Sequence, residues 1–580
     1  MAAIALIRPL YEGDESEFQE PLGIERLAGF LESHGVVACQ FDRRLYEQER
    51  RVGWNGRDAQ GAGAVVEAQS AGTDAEVQSA GAATKAQSVG AVDTTCSSFW
   101  DDFAAAFPAD APPALVGLSV MTAEDIPDAL RVISRLRASY PKTRFVAGGL
   151  FVTTNPEAAS RRFPSDVRLI VGEGECGLLA LCADAPNTRV RADVNGIGID
   201  ANTSASAEAL GPNGWAQASR PNLERYLNCG CAINIQSSRG CKGRCTFCAT
   251  PEMPAPYHRW QERSLDLVVD EIEQLVERVE AAGLAPIFNF VDDDFGPLER
   301  IEEFNDELAR RGLRIAYALQ MRVSALLSKP SSEQLAKRFA ALKQGGLTRV
   351  FLGVESLDDE TLRAWNKPYR TDGLAPVFAA LRDAGISAHV GYILWHGQSS
   401  VEGARDEARR LWEMGLYSPK VAESRMVVFP GSRLYRQLLT DDPQTRRARW
   451  EPLAPEAERF YQQLSRRLEP LYQVWKEGAV LAPWLAAWAH LDGKRQLADE
   501  LDEVLEQCAS YSYQALVEDG VCAGIAGIAG ELRECVERIR RQALGAQDAA
   551  RQRPRRVREP QEPQEARELQ GAREPREALP

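Results

Sequence analysis

No stretch of this 580-residue sequence approaches the roughly 20 unbroken apolar residues that a membrane helix needs. A bilayer is therefore not among its expected surroundings. Positive charge is also scarce: 68 Lys and Arg face 83 Asp and Glu, for a net charge of -15. Gripping a nucleic-acid backbone takes clustered cations, so this balance argues against DNA or RNA as the main partner. The opening Met1-Ala-Ala-Ile-Ala-Leu-Ile-Arg8 lacks the basic segment of a secretion signal and leads straight into a domain pattern. It reads as a first strand, and the protein is expected in the cytoplasm. In that setting the twelve cysteines are expected to be thiols or metal ligands rather than disulfides.

What is present is a soluble globular composition, 44% hydrophobic and 26% charged, at a length that calls for about three domains. Ile4-Ala-Leu-Ile7, a helical pattern from Pro21 to Gly35 and the run from Val36 to Asp42 make a βαβ unit. Ala114 to Val120, a helix near Ile126 to Ala138, Arg144 to Gly149 and Leu169 to Glu175 extend it toward a parallel sheet. Between the two halves a nine-residue pattern repeats from Glu67, Glu76 and Lys85. Such polar runs bury too little apolar surface to offset chain entropy, so 55–96 is expected to be a disordered insertion in a loop.

From Cys231 to about Tyr435 strands and helices alternate again. Strands are expected at Ala232–Gln236, Ile287–Val291, Ile315–Gln320, Arg349–Val354, Ala388–Leu394 and Glu423–Phe429. Six such steps imply a partial (β/α)6 barrel of the TIM type, with ligands at the carboxyl ends of its strands. Glu456 through Leu544 is helical in pattern, and the Arg-, Glu- and Pro-rich end reads as a solvated tail. The fold class is thus α/β: a Rossmann-like domain over 1–190, a linker over 191–228, a barrel over 229–436, a helical region over 437–545 and a tail over 546–580.

The chemistry centres on Gly240-Cys-Lys-Gly-Arg-Cys-Thr-Phe-Cys248. Cys241, Cys245 and Cys248 can hold three corners of a cubane iron–sulfur cluster and leave its fourth iron without a protein ligand. The alternative is a structural zinc completed by Cys229, Cys231 or His258. Structural zinc sites usually come as paired knuckles, whereas these cysteines follow a strand and open a βα unit, which favours the cluster.

Cys-x3-Cys-x2-Cys with an aromatic, Phe247, before the last cysteine resembles the radical S-adenosylmethionine superfamily. Phe290-Val-Asp-Asp-Asp-Phe295 and Gly353-Val-Glu-Ser356, at the ends of the second and fourth barrel strands, resemble the branch of that family with an N-terminal cobalamin-binding domain. Phe429-Pro-Gly-Ser-Arg-Leu-Tyr435 resembles the segment that closes its barrel. The resemblance implies a [4Fe-4S] cluster whose open iron takes the amino and carboxylate groups of S-adenosylmethionine. It also implies that Phe247, Asp292, Asp293, Gln320, Arg322 and Glu355 surround that molecule, the Asp segment through its backbone carbonyls. Read singly, Asp292 to Asp294 could equally form a solvated turn or a magnesium site, and Glu355 a helix-start acid.

Upstream, Pro21-Leu-Gly-Ile-Glu-Arg-Leu-Ala, Gly117-Leu-Ser-Val, Ala147-Gly-Gly-Leu and Val171-Gly-Glu-Gly-Glu175 resemble, in that order, the cobalamin-binding domain of the same branch. Glycines at strand ends let a flat ligand approach the backbone, and the switch point of a doubly wound sheet supplies a crevice. The resemblance implies that Ser119, Gly148, Gly149 and Glu173 line it; the same glycines could also serve only tight turns. The Asp-x-His-x-x-Gly motif that gives many cobalamin proteins a cobalt ligand is absent, and His34, on a helix end, does not fit it. Cobalamin would be held here without a protein ligand, as in some members of the branch, while others keep the fold and lose the cofactor.

Cys229 and Cys231 could share an auxiliary cluster with Cys508, Cys522 or Cys535, but without a second tight cysteine group they read as core thiols. His389 and His396 flank the fifth barrel strand, as candidates for proton transfer or as structural histidines. The implied activity is reductive cleavage of S-adenosylmethionine coupled to cobalamin-dependent C-methylation of an unactivated carbon. The substrate would be a small molecule or peptide of natural-product or cofactor biosynthesis, and the electrons would come from a donor such as flavodoxin or ferredoxin. Two alternatives stand: a non-methylating radical reaction (oxidative cyclisation, rearrangement or decarboxylation) and a non-catalytic cobalamin or redox sensor.

Overall fold

The computed structural model describes residues 3–10, 19–51, 97–182, 193–194, 197–200, 215–253, 259–327, 331–367, 369–429, 431–441, 451–492, 495–517 and 524–551. The insertion expected over 55–96, together with His258 and Cys522, lies outside the described residues. Among the described residues no helix is long and apolar enough to cross a membrane.

The N-terminal sheet contains β1 (Ala3–Arg8), β2 (Val37–Asp42), β3 (Leu115–Ser119), β4 (Arg144–Gly148), β5 (Val167–Ile170), β6 (Asp193–Val194) and β7 (Ile197–Asp200), in the order β2-β1-β3-β4-β5-β7-β6. Every pair is parallel except β6 with β7. Parallel strands are covered on both faces, and the unbroken apolar runs of β1 and β3 fit that demand. One face is packed by the helix Leu22–Ser33 through Ile24, Ala28 and Leu31, the other by Ile126–Ser139 through Ala129, Val132 and Ile133. One finding corrects the expected boundaries: β7 pairs with β5, so the sheet runs into the stretch assigned to a linker. A helix over Arg43–Arg51 follows β2 directly.

The second sheet is a parallel five-stranded arc of β8 (Ile233–Ile235), β11 (Ile287–Phe290), β12 (Ala316–Arg322), β13 (Leu347–Glu355) and β14 (Ser387–Tyr392), ordered β14-β13-β12-β11-β8. A small antiparallel ribbon, β9 (Ser238–Arg239) with β10 (Gln261–Glu262), lies beside the arc. The strand expected over 423–429 is reduced to an isolated parallel bridge between Trp395 and Arg425. Its beginning is taken by a helix, Pro419–Glu423, which proline at the first helical position favours. The buried Trp395 fixes that helix by donating its indole N–H to the Ala422 carbonyl at 2.8 Å.

Three helices, Pro455–Asp492, Gln496–Val517 and Ile525–Arg551, complete the chain and share one apolar core with the barrel. The last continues to Arg551, so its final six residues fall within the expected tail.

The two sheets are joined through buried ions. Arg220 reaches Glu20 at 2.5 Å and Glu25 at 3.5 Å in the first domain, and Glu271 at 3.4 Å on the barrel helix Leu265–Ala281. Arg263 holds the same Glu271 at 2.8 Å, and Glu20 accepts the β8 backbone N–H of Asn234 at 2.7 Å. Burial, with Glu20 beside it, pushes the Glu25 carboxyl well above the ordinary carboxylate range. These contacts set the carboxyl ends of the first sheet against those of the barrel.

Candidate functional site

The cysteine loop leaves β8 through Ser237 and Ser238, and Asp292 at the end of β11 grips that exit. Its carboxylate accepts the backbone N–H groups of Ser237 and Ser238 at 2.8 and 2.6 Å and the Ser237 hydroxyl at 2.8 Å. Complete burial pushes its pKa up to about 6 against those bonds. The Asp292 side chain is therefore committed to the turn, and its carbonyl accepts the amide of Gln320.

Further on, the loop is tied from outside. Thr246 donates its N–H to the Trp365 carbonyl at 3.0 Å, Asn366 donates to the Arg244 carbonyl at 2.8 Å, and Leu434 donates to the Thr246 carbonyl at 2.9 Å. The Phe247 ring sits edge-on to Trp365 with centroids 5.6 Å apart, in an apolar cluster with Met426 and Leu434. Its aromatic character thus anchors the loop.

Two of the thiols, Cys241 and Cys245, flank a space that Gly243 leaves open. A Cβ there would lie 3.3 Å from Cys241 Sγ, 3.7 Å from Cys245 Sγ and 3.5 Å from Arg322 Cδ. Gly243 donates its N–H to Cys241 Sγ at 3.2 Å, a bond suited to a thiolate. Burial raises all three thiols, Cys241 to about 12, so binding iron would release their protons. Among the described residues no three His, Cys, Asp or Glu side chains are gathered tightly enough to hold a single metal ion. Cys229 and Cys231 pack elsewhere, against Leu45 and Tyr226, while Cys508 and Cys535 belong to the helical core.

Polar groups surround the thiols at the strand ends. Asp294 is fully buried, pairs with Arg322 at 2.7 Å through one oxygen, and has no partner among the described residues for the other. An orphaned buried carboxylate oxygen is a place for an incoming donor such as an ammonium group. Asp293, next to it, is exposed. Glu355 ends β13 with φ +72°, a left-handed conformation that a glutamate adopts only under constraint, and its carboxylate meets Lys367 at 3.0 Å. Lys367 and Asp294 were missed in the sequence. Asp294 is distinguishable from its two neighbours only by burial, and Lys367 approaches through a turn with no periodic signal.

A cavity of about 340 Å³ lies between the domains. Ser119, Gly148 and Gly149 line it from the first sheet; Gln236, Arg239 and Val291 line it from the barrel. Gly149 has φ +103°, and a Cβ there would fall 2.6 Å from the Val120 carbonyl oxygen, so the position needs glycine. Gly23 and Gly172 face open space: a Cβ at either would meet no atom within 4 Å. Met121 and Leu150 are 43% and 40% exposed at this cavity, apolar surface that a flat ligand would cover. Arg26 also lines the cavity, and its Nε has no partner among the described residues. Glu173 stands behind the wall, bonded to Arg239 at 2.6 Å, and Glu175 takes the lining position. The described lining residues include no histidine. These features fit part of a corrin ring with its amide side chains; a volume at the small end for ligand sites leaves the rest of so large a cofactor outside the cavity.

Residues 235–403 match the family described as the Radical SAM superfamily. Bacteriochlorophyllide d C-8(2)-methyltransferase of Chlorobaculum tepidum is 21% identical over 296 residues, covering 50% of this chain and 61% of that protein. The chain spans between 29% and 61% of the length of the curated relatives it matches. Among solved structures, the cobalamin-dependent S-adenosylmethionine radical enzyme OxsB with aqua-cobalamin bound superposes with a TM-score of 0.63 at 13% identity, over 95% of this chain and 81% of that one. The radical S-adenosylmethionine methyltransferase TsrM from Kitasatospora setae, with cobalamin and a [4Fe-4S] cluster bound, gives 0.55 at 16% identity, over 93% and 99%. At these identities the likeness to the solved structures is one of fold. Residues 235–403 thus match the Radical SAM superfamily, and the fold around them is similar to that of both structures.

Proposed function

We propose that this chain cleaves S-adenosylmethionine reductively at a [4Fe-4S] cluster held by Cys241, Cys245 and Cys248. With cobalamin in the inter-domain cavity, it methylates an unactivated carbon of a small molecule in natural-product or cofactor biosynthesis. The observation that carries this reading is the space beside Gly243 flanked by the Cys241 and Cys245 thiols, with the unpaired Asp294 oxygen near it and a glycine-floored cavity next to the same strand ends. The methyltransferase relatives support methylation over the other radical reactions.

When bound, the cluster supplies the electron that breaks a C–S bond of the sulfonium, and cobalamin supplies a methyl group in transferable form. The protein's own residues bind, orient and exclude water. Asp294 accepts the methionyl ammonium while Arg322 holds its other oxygen in place. Glu355, steadied by Lys367, faces the hydroxyl-bearing part of the nucleoside, and Gln320 holds the Asp292 carbonyl in place. The Phe247–Trp365–Met426 cluster closes the outer side of the loop against solvent. Electrons arrive from a flavodoxin- or ferredoxin-type donor in the cytoplasm.

The test is anaerobic reconstitution with iron and sulfide, then incubation with methyl-labelled S-adenosylmethionine, cobalamin and a strong reductant. The expected products are 5′-deoxyadenosine and, with substrate, S-adenosylhomocysteine and a labelled methylated product. 5′-Deoxyadenosine with no methyl transfer to any candidate substrate assigns a non-methylating radical reaction instead. No cleavage at all returns the chain to the sensor alternative.

A further inference from the structure

Among the described residues only two other than glycine have a positive φ, Glu355 at +72° and Asn366 at +57°. They stand at the two ends of one short excursion of the chain. It leaves β13 at Glu355, runs through the helix Asp359–Ala364 and returns at Lys367. There the lysine ammonium meets the Glu355 carboxylate at 3.0 Å and donates to the Gly353 carbonyl at 3.1 Å. Tyr369 adds its hydroxyl to the Val354 carbonyl. Gly353 leaves room for this return, since a Cβ there would fall 2.7 Å from Glu355 Oε1 and 3.0 Å from Lys367 Nζ.

The turn that ends the helix is a regular cap. Asn366 donates its backbone N–H to the Arg363 carbonyl at 3.1 Å and Lys367 donates its own to the Leu362 carbonyl at 2.8 Å, the two bonds that accompany a left-handed residue after a helix. Glycine is the usual residue in that conformation, because it has no Cβ to crowd the backbone. Asparagine enters it at some cost and brings a side chain. Here that side chain is engaged: it donates to the Arg244 carbonyl at 2.8 Å. The preceding residue completes the join, as the Trp365 carbonyl accepts the Thr246 N–H at 3.0 Å. Arg244 and Thr246 are the two neighbours of Cys245 in the chain. The cap therefore grips the backbone on both sides of that cysteine, while the residue after Asn366 grips the end of β13.

We propose that Asn366 is a positioning residue for Cys245, and that the cap of the helix Asp359–Ala364 holds this thiol in fixed register with Glu355. The inference rests on the reading of Cys245 as an iron ligand and of Glu355 as part of the S-adenosylmethionine site. A ligand that immobilises Glu355 also immobilises Lys367 and the cap, which lowers the cost of keeping Cys245 in place. S-adenosylmethionine at the strand end and iron at Cys245 then secure each other.

The experiment follows the release of iron to a chelator from the anaerobically reconstituted full-length protein, with and without saturating S-adenosylmethionine. The melting temperature of the iron-free protein is recorded in parallel. Asn366→Gly keeps the left-handed turn and removes the side-chain bond, so that melting temperature should not fall. Iron should leave it roughly fivefold faster, as the loss of one hydrogen bond allows. S-adenosylmethionine should slow the release in the wild type and slow it by a smaller factor in Asn366→Gly. Asn366→Asp has the same size but no N–H for the Arg244 carbonyl, and should release iron at least as fast as the glycine variant. Release at the wild-type rate in both variants overturns the proposal, as does protection by S-adenosylmethionine equal to that in the wild type. A lower melting temperature of iron-free Asn366→Gly makes the residue a structural one and overturns it too. A wild type that takes up no cluster refutes the proposed function itself, and this inference with it.

Discussion

Replacing Arg220 by Met removes the cation on which both domains converge, and its consequence can be worked from the contacts. Arg220 is 5% exposed and faces Glu20 at 2.5 Å, Glu25 at 3.5 Å and Glu271 at 3.4 Å. Burial and Glu20 already push the Glu25 carboxyl well above the ordinary carboxylate range, and Glu271 keeps Arg263 at 2.8 Å and Arg26 at 3.8 Å. The loss therefore falls mainly on Glu20, a buried carboxylate left without its partner. Breaking a buried pair from one side costs about 3–5 kcal/mol, and with one orphaned acid the lower end applies, about 3 kcal/mol. At roughly 2–4 °C per kcal/mol for a cooperative unit of this size class, Tm should fall by roughly 6–12 °C in scanning calorimetry. Adding Glu20→Gln to Arg220→Met removes the stranded charge and should recover at least about 1 kcal/mol. A Tm drop under roughly 2 °C, or a double variant less stable than the single one, would refute this ion-mediated docking.

Further expectations concern the two cofactor sites and one histidine. Each of Cys241→Ser, Cys245→Ser and Cys248→Ser should leave the reconstituted protein without the visible absorption and iron content of a cubane, while its circular dichroism is kept. Gly149→Ala forces a side chain against the Val120 carbonyl at φ +103°; it should cost about 1–3 kcal/mol in urea unfolding and abolish retention of cobalamin through gel filtration. Lys367→Met leaves Glu355 unpaired and should weaken S-adenosylmethionine about tenfold by calorimetric titration. Burial holds His396 down at about 4, with Asp358 opposing, against an ordinary value of about 6.5. The folded state then binds fewer protons than the unfolded one, so its contribution is intact above about 6.5 and is lost as pH falls toward 4, by up to about 1.4 kcal/mol per pH unit. Urea midpoints of His396→Asn should lack that component of the acid-side slope.

Strands buried on both faces carry their own signature, which is why β1 and β3 could be read from runs such as Ile4–Ile7 and Leu115–Leu118. The cysteine loop was equally legible, because three thiols at that spacing serve few purposes. β7 was not: Ile197–Asp200 is too short for any period, and its place is set by pairing with β5. The Glu423–Phe429 run looked like a strand, yet Pro419 and the Trp395 indole draw its start into a helix. At the site, composition cannot tell Asp292, locked into the turn after β8, from Asp294, whose oxygen is unpaired; only the fold separates them. Glu173 and Glu175 both meet Arg239, at 2.6 and 3.5 Å, yet only Glu175 lines the cavity.

The decisive measurement is Mössbauer spectroscopy of the anaerobically reconstituted, iron-57-labelled protein before and after addition of S-adenosylmethionine. A cubane held by Cys241, Cys245 and Cys248 with one iron open to that molecule should show a single iron site whose parameters change on addition while the others stay fixed. A protein that carries zinc at these thiols, or a cluster whose iron sites all remain unchanged when S-adenosylmethionine is added, would contradict it.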